Sequence, residues 1–561
     1  MTVESINRAR LLRRGASALL ALGIAPAGTA VAGVRRTHAA LRLTARNVGR
    51  RYVGDRTLFA TVSPGVPGRD TAVIRFRLGR PSTVRIEAVR TARRNSKAIW
   101  ETTAKLRPGQ QEVKWTPELD TPVGSYVMRL LIMPQNGNAT VLGDTRPASV
   151  ARQQAPAVRV LGVEAAFLRR SYLPGELMEL RITADVPALS LQFLRLGPEM
   201  VSTERNDELS GVPRGDPVSI DWAGKRSGPV TITVQTGGWP PGVYAARLTA
   251  EDGRIGFAPF VLRAALPNIP RQLIVMPTNT WQAYNFYDRN GDGWGDTWYA
   301  GGTQAVELDR PYRDRGVPPR FKSYDRAFLR WLARTGKTPD FAADDDLETF
   351  ATGDVLRAAY DLVVFPGHSE YMTAHAYDVI TRYRDLGGRL VFLSANNFFW
   401  KVETNGSTLR RVKLWRDDGR PEASLCGVQY RANDDGTRQG PYIVVAAESA
   451  PWLFASTGLV TGSTFGETVG GFGIEIDATT PDSPPGTTVL AHVPDLFGPG
   501  RSGEMTYYET PAGSRVFSAG TLDFGGVATA WPITRMLENL WNHMLADLPA
   551  PESAKTVAPP P

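Results

Sequence analysis

The sequence is short of cysteine, histidine and long apolar runs. Cys426 is the only cysteine among 561 residues, so no disulfide can form within the chain and each domain must be stabilised by its own buried core. A lone cysteine beside an apolar run is typical of a small buried hydrophobe rather than a nucleophile. With five histidines, a three-histidine metal site is not expected, and a metal would need oxygen ligands. No segment is apolar enough for a transmembrane helix, so no stable membrane span is expected.

Positive charge is in excess but scattered. The formal charge is +9, and part of it comes from arginines within the first 32 residues, namely Arg8, Arg10, Arg13 and Arg14. The rest of the chain has no run of five or six like charges and no basic helix interleaved with aromatic residues, which are the usual signs of a nucleic-acid-binding surface. We therefore expect no nucleic-acid partner.

The first 32 residues resemble an export signal. A positive stretch over 8–14 precedes a mildly apolar stretch over 16–31, and Ala30-Val31-Ala32 offers small residues for cleavage. The pair Arg13-Arg14 also allows the twin-arginine route. We predict that residues 1–32 are an export signal and that the mature protein is periplasmic, bound to the cell surface or extracellular.

Two successive regions alternate apolar and polar residues with a period of two, as strands with one buried face do. They cover residues 41–152 and 156–266, with a linker around Gln153–Pro156. Both contain the pattern Gly-x-Tyr-x-x-Arg-Leu, which begins at Gly124 in the first region and at Gly242 in the second. We predict a tandem pair of immunoglobulin-like β-sandwiches.

The period changes after Pro267. Apolar strands are predicted at 272–276, 361–365 and 389–393, and helices at 325–335, 373–386 and 533–545. The order strand, helix, strand predicts a βαβ unit, so residues 267–548 are expected to form an α/β domain with a parallel sheet. The Pro- and Ala-rich segment 549–561 is expected to be a disordered tail. The predicted fold class is multidomain, with two all-β sandwiches followed by this α/β domain.

Polar residues follow two of these strands, in the loops Pro366–Tyr371 and Ser394–Phe398. Ligands of open parallel sheets bind at the carboxyl ends of the strands, so these loops are candidate site loops. The alternative for the first loop is an ordinary helix-capping turn in which Ser369 or Glu370 serves the helix. A Ser/His triad is not favoured, because no Gly-x-Ser-x-Gly elbow follows a strand in this domain.

A calcium-like pattern lies between residues 288 and 296. Oxygen-bearing side chains occupy loop positions one, three, five and nine, and a glycine occupies position six. The residues of this set are Asp288, Asn290, Asp292 and Asp296. Position twelve is Tyr299 rather than glutamate, so the bidentate ligand is missing. The alternative is a plain Gly/Asp turn.

Four ordered motifs resemble the large (beta) subunit of N,N-dimethylformamidase and its relatives. They are Gly-Val-Tyr-Ala-Ala-Arg-Leu at 242–248, Asn-Thr-Trp-Gln-Ala-Tyr-Asn at 279–285, Gly-His-Ser-Glu-Tyr at 367–371 and Ser-Ala-Asn-Asn-Phe-Phe-Trp at 394–400. The resemblance implies a C-terminal domain with the class I glutamine amidotransferase fold but without its cysteine. It also implies a mononuclear ferric iron held by two tyrosines and a glutamate.

The same resemblance assigns roles to residues of this chain. Tyr244 and Tyr284 would be the tyrosinate ligands, and Glu370 would be the carboxylate ligand. His368 and Asn396 would either support the metal ligands from outside or orient the substrate, and Glu504 would act as a general base. Ferric iron beside two phenolates would polarise an amide carbonyl at neutral pH.

We therefore predict an exported, iron-dependent amidohydrolase that cleaves the C–N bond of a small or polar linear amide, with a homo-oligomer or a small partner subunit as its assembly. The alternative is a noncatalytic secreted protein that binds calcium and a carbohydrate or cell-surface partner. Bound iron distinguishes the two hypotheses.

Overall fold

The computed structural model describes residues 42–45, 59–90, 97–142, 157–203, 205–226, 228–265, 267, 271–289, 295–299, 303–434 and 436–547. The predicted export signal (1–32), the linker (153–156) and the predicted tail (549–561) lie outside the described residues. The described chain is a multidomain protein built mostly of β-sheets with a few helices. Among its described helices, none is long and apolar enough to cross a membrane.

The first β unit has two sheets that face each other. Its strands are β1 (Arg42–Ala45), β2 (Phe59–Val62), β3 (Ala72–Leu78), β4 (Ser82–Arg90), β5 (Ala98–Leu106), β6 (Gly109–Trp115), β7 (Gly124–Pro134), β8 (Thr140–Leu142) and β9 (Ala157–Val160). One sheet has the order β1-β3-β6, and the other has the order β2-β9-β7-β4-β5 with β8 beside β7. Phe76 of β3 and Ile86 of β4 belong to one apolar cluster, so the two sheets share a core.

The second β unit repeats this arrangement. Its strands are β10 (Glu164–Phe167), β11 (Ser171–Tyr172), β12 (Leu177–Thr183), β13 (Ala188–Arg195), β14 (Val212–Asp221), β15 (Val230–Gln235), β16 (Gly242–Ala250) and β17 (Ile255–Leu262). They form the sheets β10-β12-β15 and β11-β17-β16-β13-β14. The immunoglobulin-like topology of both units stays a prediction.

The junction between the two units lies after β9 rather than at residues 152–156. β9 pairs in parallel with β2 and antiparallel with β7, so it completes a sheet of the first unit. The alternation at Ala157–Val160 predicts a strand, but which sheet accepts a short strand depends on the edges that are open to it.

The third domain contains a nine-stranded sheet that is parallel in one half and antiparallel in the other. Its strands are β18 (Gln272–Met276), β20 (Asp340–Ala343), β21 (Leu362–Phe365), β23 (Arg389–Phe392), β28 (Tyr442–Val444), β29 (Thr464–Phe465), β32 (Thr488–Val493), β33 (Gly503–Glu509) and β34 (Arg515–Ser518). The order is β20-β18-β21-β23-β34-β33-β32-β28-β29. The first five strands run parallel, so their carboxyl ends meet at one edge.

Smaller sheets and helices cover this sheet. The remaining strands are β19 (Ala305–Glu307), β22 (Tyr371–Thr373), β24 (Trp400–Thr404), β25 (Thr408–Leu414), β26 (Gln429–Asn433), β27 (Gln439–Gly440), β30 (Phe472–Gly473) and β31 (Glu475–Ala478). The helices are α1 (Thr278–Ala283), α2 (Phe321–Tyr324), α3 (Arg326–Arg334), α4 (Gly353–Ala359), α5 (Ala374–Asp385), α6 (Ala423–Cys426), α7 (Pro451–Phe454) and α8 (Ile533–Leu545). The predicted βαβ unit is confirmed, because β21 and β23 pair in parallel on either side of α5. The glutamine amidotransferase-like fold stays a prediction.

Both β units contact the third domain. Along β16 the side chains alternate between two cores: Val243 and Ala245 join the cluster that contains Ile274 of β18, whereas Tyr244 and Ala246 join the core of the second unit itself. This alternation follows from the two-residue period of a strand. The second unit is therefore packed against the large sheet through one face of β16.

The first unit reaches the third domain through polar contacts. Ser125 Oγ donates to Asp288 Oδ2 at 3.1 Å, and the Arg159 guanidinium donates to the Asp288 carbonyl oxygen at 3.1 Å. An ion pair between Arg90 and Asp314 lies nearby, with 2.6 Å between Nη1 and Oδ1. The first unit thus holds the segment that follows Tyr284 in the chain.

Candidate active site

The short helix α1 fixes the position of Tyr284. The backbone N–H of Asn279 donates to Asp344 Oδ2 at 2.9 Å, and the indole N–H of Trp281 donates to Asp325 Oδ2 at 3.1 Å. All six residues of α1 are buried. A helix this short is not stable by itself, so these tertiary contacts determine where Tyr284 lies.

Glu370 lies in the loop between β21 and β22 and is 0% exposed. Its N–H donates to Thr280 Oγ1 at 3.1 Å, and its carbonyl oxygen accepts from the N–H of Trp400 at 2.9 Å. Gly367 begins the polar part of the loop, and a Cβ there would overlap Asp325 Oδ1. The helix-capping alternative for Glu370 is not what the structure has: Thr373 caps α5, and its Oγ1 accepts from the N–H of Ala376.

The loop after β23 has two non-glycine residues in the left-handed region. Asn396 has a φ of 57° and Phe398 a φ of 55°. The N–H of Asn396 donates to the two carboxylate oxygens of Asp477 at 2.8 and 2.9 Å, and the N–H of Phe398 donates to the Ser369 carbonyl oxygen at 2.8 Å. Left-handed backbone in such residues costs free energy and persists only where the surroundings enforce it.

These three segments bring Tyr284, Glu370, His368 and Asn396 together. The Tyr284 hydroxyl donates a short hydrogen bond to Glu370 Oε2. His368 Nε2 lies 3.7 Å from Glu370 Oε2 and 3.4 Å from the Asn396 side-chain nitrogen. The ring centroids of Tyr284 and His368 are 5.6 Å apart. Four of the residues expected at the site thus lie in one buried cluster.

Glu475 is a further member of this cluster that the sequence reasoning missed. It lies on β31, is 6% exposed, and places Oε2 3.4 Å from His368 Nε2. The sequence shows only that Glu475 and Asp477 alternate with Ile474 and Ile476, which also fits a strand with one solvent-exposed face, whereas the structure buries both carboxylates. Charged residues are rarely buried without a partner, so a strand that buries two of them indicates a polar site beside it.

Tyr244 lies elsewhere. Its side chain is 0% exposed in the core of the second β unit, where its ring stacks with those of Trp239 and Phe260 at centroid distances of 5.6 and 5.8 Å. Its hydroxyl donates to the Pro240 carbonyl oxygen at 2.7 Å. The contacts of Tyr244 are thus with residues of its own unit, whereas Tyr284 and Glu370 contact each other in the third domain.

Glu504 also lies outside the cluster. It is on β33, and its Oε2 accepts hydrogen bonds from the N–H and the hydroxyl of Thr479 at 2.8 and 2.7 Å. The carboxylates within 4 Å of His368 Nε2 are those of Glu370 and Glu475, and the role of Glu504 as a general base stays a prediction.

The calcium-like segment is described only in part. Asp288 accepts from Ser125, and Asp296 Oδ2 accepts from the N–H of Arg289 at 3.0 Å. Asn290 and Asp292 lie outside the described residues. Calcium binding stays a prediction.

Several buried carboxyl groups surround the cluster, and burial raises their pKa values. The pKa of Asp325 is raised to about 8, and those of Asp344 and Asp477 are raised to about 7. In each case the main cause is the loss of solvation, which disfavours the charged form. Burial also raises the pKa of the Cys426 thiol, in agreement with the unreactive cysteine expected from its lone position.

The donor set suits a hard cation. Tyr284 and Glu370 present phenol and carboxylate oxygens, which ferric and other hard ions prefer. The side-chain carbonyl oxygen of Asn396 is buried and accepts no hydrogen bond from the residues that the structure describes, so the cluster has an atom that fits a further ligand. Across the same described residues, no group of three or more His, Cys, Asp or Glu side chains has the arrangement of a metal site.

Another phenol adjoins the cluster. Tyr299 packs edge-on against Tyr284 with ring centroids 5.4 Å apart, and it is 52% exposed. Tyr299 therefore connects the buried cluster with the solvent.

A family model described as N,N-dimethylformamidase beta subunit-like, C-terminal, matches residues 212–531, which is more than half of the chain. Two curated relatives are N,N-dimethylformamidase beta subunits, from Paracoccus aminophilus at 24% identity and from an Alcaligenes species at 23%. Each match covers 40% of this chain, and the chain spans 37% of the length of each relative. A solved structure of Salmonella alpha-2-macroglobulin reacted with methylamine matches 40% of this chain and 16% of that chain at 12% identity with a TM-score of 0.19.

Proposed function

The chain belongs to the N,N-dimethylformamidase beta subunit-like family, and from this premise we propose that it is an iron-dependent hydrolase of a small or polar linear amide. The observation that carries the proposal is the hydrogen bond between the Tyr284 hydroxyl and the Glu370 carboxylate beside His368. The phenol of Tyr284, which follows α1, meets the carboxylate and the imidazole of the loop after β21 there, at the sheet edge where open α/β sheets bind their ligands.

The metal would be held by Tyr284 and Glu370. Tyr299, the exposed phenol packed against Tyr284, would supply the second phenolate in place of Tyr244. When bound, ferric iron supplies a Lewis acid that draws electron density from an amide carbonyl. Tyrosine ionises near pH 10 in water, so only a strong Lewis acid makes a phenolate available at neutral pH.

The chain's own residues account for the proton transfers. His368 Nε2 takes a proton from the attacking water as it adds to the carbonyl carbon, and returns it to the nitrogen when the C–N bond breaks and the amine leaves. Glu475, 3.4 Å from the same nitrogen, orients the ring and stabilises its protonated form. The free carbonyl oxygen of Asn396 accepts a hydrogen bond from the water or from an N–H of the substrate.

Two further elements belong to the same proposal. The curated relatives are named as beta subunits, so we propose that this chain also works with a smaller partner subunit. The export predicted from residues 1–32 would place that assembly outside the cytoplasm, and sequencing the N-terminus of the native protein tests it.

The test is to purify the chain from its native host with whatever co-purifies. We expect about one iron per chain by elemental analysis and a visible absorption band from phenolate-to-iron charge transfer. We also expect release of amine and carboxylate from formamides or acetamides, followed by NMR. Tyr284→Phe should remove the band and the activity.

Tyr244→Phe is the matched control, because it removes a buried tyrosine hydroxyl from the same chain outside the cluster. It should keep iron, colour and activity. A colourless, iron-free wild type that Tyr284→Phe does not change in any assay would refute the proposal and favour the noncatalytic binding protein.

A further inference from the structure

Strand β31 has two acidic residues on one face, and both point at the cluster. Side chains two positions apart on a strand lie on the same side. Glu475 contacts His368, and Asp477 accepts the N–H of Asn396. One strand therefore serves two of the polar residues to which the proposed function gives a role.

We propose that Asp477 is a positioning residue, which holds Asn396 in the left-handed conformation from which its amide faces His368. This inference rests on the proposed hydrolase function, because it gives a purpose to the Asn396 side chain.

The first argument is the geometry of the hydrogen bond. The two carboxylate oxygens of Asp477 lie 2.8 and 2.9 Å from the backbone nitrogen of Asn396, so both oxygens accept a hydrogen bond from the same N–H. That nitrogen belongs to a residue with a φ of 57°, and Asn396 Nδ2 lies 3.4 Å from His368 Nε2. Turning the backbone of Asn396 out of this region would move its amide away from the imidazole.

The second argument is that the rest of the loop is anchored by other groups. The ring of Phe398 packs edge-on against those of Phe365 and Phe392, with centroid distances of 5.1 and 5.5 Å. The N–H of Phe398 donates to the Ser369 carbonyl oxygen. Ser394 Oγ donates to the Leu522 carbonyl oxygen at 2.9 Å. Between these anchors, the only backbone N–H that a side chain binds in the described structure is that of Asn396.

The third argument is that burying the carboxyl group of Asp477 is energetically unfavourable. It is 2% exposed, and burial together with the charges of Glu422 and Glu475 raises its pKa to about 7, despite the opposing effects of the Asn396 N–H and of Arg416. A carboxyl in this setting destabilises the fold unless it makes strong hydrogen bonds. Its own backbone is fixed as well, since its N–H donates to the Gly520 carbonyl oxygen at 2.9 Å.

The experiment compares Asp477→Ala and Asp477→Asn with matched variants of Asp523. Asp523 is a carboxyl with a pKa also raised to about 7 by burial, and it accepts a backbone N–H, that of Gly473, at 3.2 Å. Its hydrogen bonds go to Gly473 and to Gln439 rather than to the cluster. Asp523→Ala therefore shows how the loss of a buried, hydrogen-bonded carboxyl alters exchange and kcat when that carboxyl does not contact Asn396.

Hydrogen–deuterium exchange of the peptide over residues 393–399 is the first measurement. Removing an acceptor with a charge should make the Asn396 amide exchange roughly 10-fold faster or more in Asp477→Ala. Asp477→Asn keeps one acceptor oxygen, so its exchange rate at Asn396 should lie between those of the wild type and Asp477→Ala. The exchange rate in Asp523→Ala should match that of the wild type. This result does not depend on iron or on activity.

Kinetics are the second measurement. In Asp477→Ala we expect kcat to fall roughly 10- to 100-fold with KM and iron content unchanged, as is usual when an outer partner of a site is removed. Unchanged exchange at 393–399, or a kcat equal to that of Asp523→Ala, would overturn the inference. If Asp477→Ala does not fold, Asp477→Asn decides by the same two measurements. An inactive, iron-free wild type refutes the proposed function, and the exchange result still decides whether Asp477 holds the loop.

Discussion

Tyr244 and Tyr284 both donate a hydrogen bond through the phenol hydroxyl, but Tyr244 lies in the core of the second β unit and Tyr284 lies in the polar cluster of the third domain. Tyr244 bonds a carbonyl oxygen four residues earlier in its own chain segment, inside the second β unit. Tyr284 bonds a carboxylate that is 86 residues away in sequence. The first pattern also occurs in the first β unit, where Tyr126 donates to the Pro122 carbonyl oxygen at 2.5 Å.

The hydrogen-bond partner of each tyrosine distinguishes a motif that stabilises the fold from a motif that belongs to the candidate site. A tyrosine that recurs at the same place in both β units and bonds a neutral local acceptor stabilises the end of a strand in each of them. Tyr284 instead meets a buried carboxylate from another loop beside an imidazole, and this combination of polar groups is the one on which the proposed function rests. The predictions below test this distinction.

The largest effect is expected from Glu370→Gln. Loss of the carboxylate that meets Tyr284 should abolish iron binding and lower activity on the order of 100-fold or more. Iron analysis and amide hydrolysis measure it. Glu504→Gln, which changes a glutamate bound to Thr479, should stay within about 3-fold of the wild type by comparison with ordinary surface changes. Equal losses in the two variants would contradict the distinction.

The next effect is expected from Glu475→Gln. The side chain keeps its size but loses the charge that stabilises a protonated His368, so kcat should fall roughly 10- to 100-fold while iron stays bound. A rate profile against pH and an iron assay check this. If iron is lost instead, Glu475 is a ligand rather than a partner of the imidazole.

A smaller effect is expected from Tyr244→Phe and Tyr126→Phe. Each variant removes one hydroxyl that donates to a carbonyl oxygen, which should lower the free energy of unfolding by about 1 kcal/mol. Denaturant titration should give a larger loss for Tyr126→Phe, because the Tyr126 hydroxyl also accepts a hydrogen bond from Arg90 Nε at 3.3 Å, with iron and activity unchanged in both variants. A loss of iron in Tyr244→Phe alone would return Tyr244 to the site.

The smallest effect is expected from Asp325→Asn, and it depends on pH. Burial raises the pKa of Asp325 from 3.8 to about 8, so the folded state binds a proton that the unfolded state releases between these values. Stability from this group is therefore lost as the pH rises toward 8. Asp325→Asn should raise Tm relative to the wild type more at pH 8 than at pH 5.

Tyr244→Phe is the control for the predicted pH dependence of the Tm difference. Burial raises the pKa of Tyr244 above its ordinary value of 10, so its hydroxyl stays protonated at pH 5 and pH 8 in both states. Its change in Tm should be the same at the two pH values. A Tm difference in Asp325→Asn that does not grow with pH would contradict the assignment of a destabilising carboxyl.

Local patterns predicted much of this architecture. The apolar run at 272–276 is β18, the helix at 533–545 is α8, and the helix that stops before Gly336 is α3, with Gly336 in the left-handed region. These predictions are confirmed because strand and helix periods are properties of neighbouring residues. The rule that ligands bind at the carboxyl ends of parallel strands also points to the two loops that carry His368, Glu370 and Asn396.

Short-range spacing is enough to predict the main strands and helices, the order of the motifs and the loops that carry the polar residues. Long-range packing sets the rest: Tyr244 faces the interior of its own unit, and Glu475 rather than Glu504 reaches His368. Strand faces change with every residue, and the pairing of distant strands sets which carboxylate comes within 4 Å of an imidazole. No local pattern contains that information.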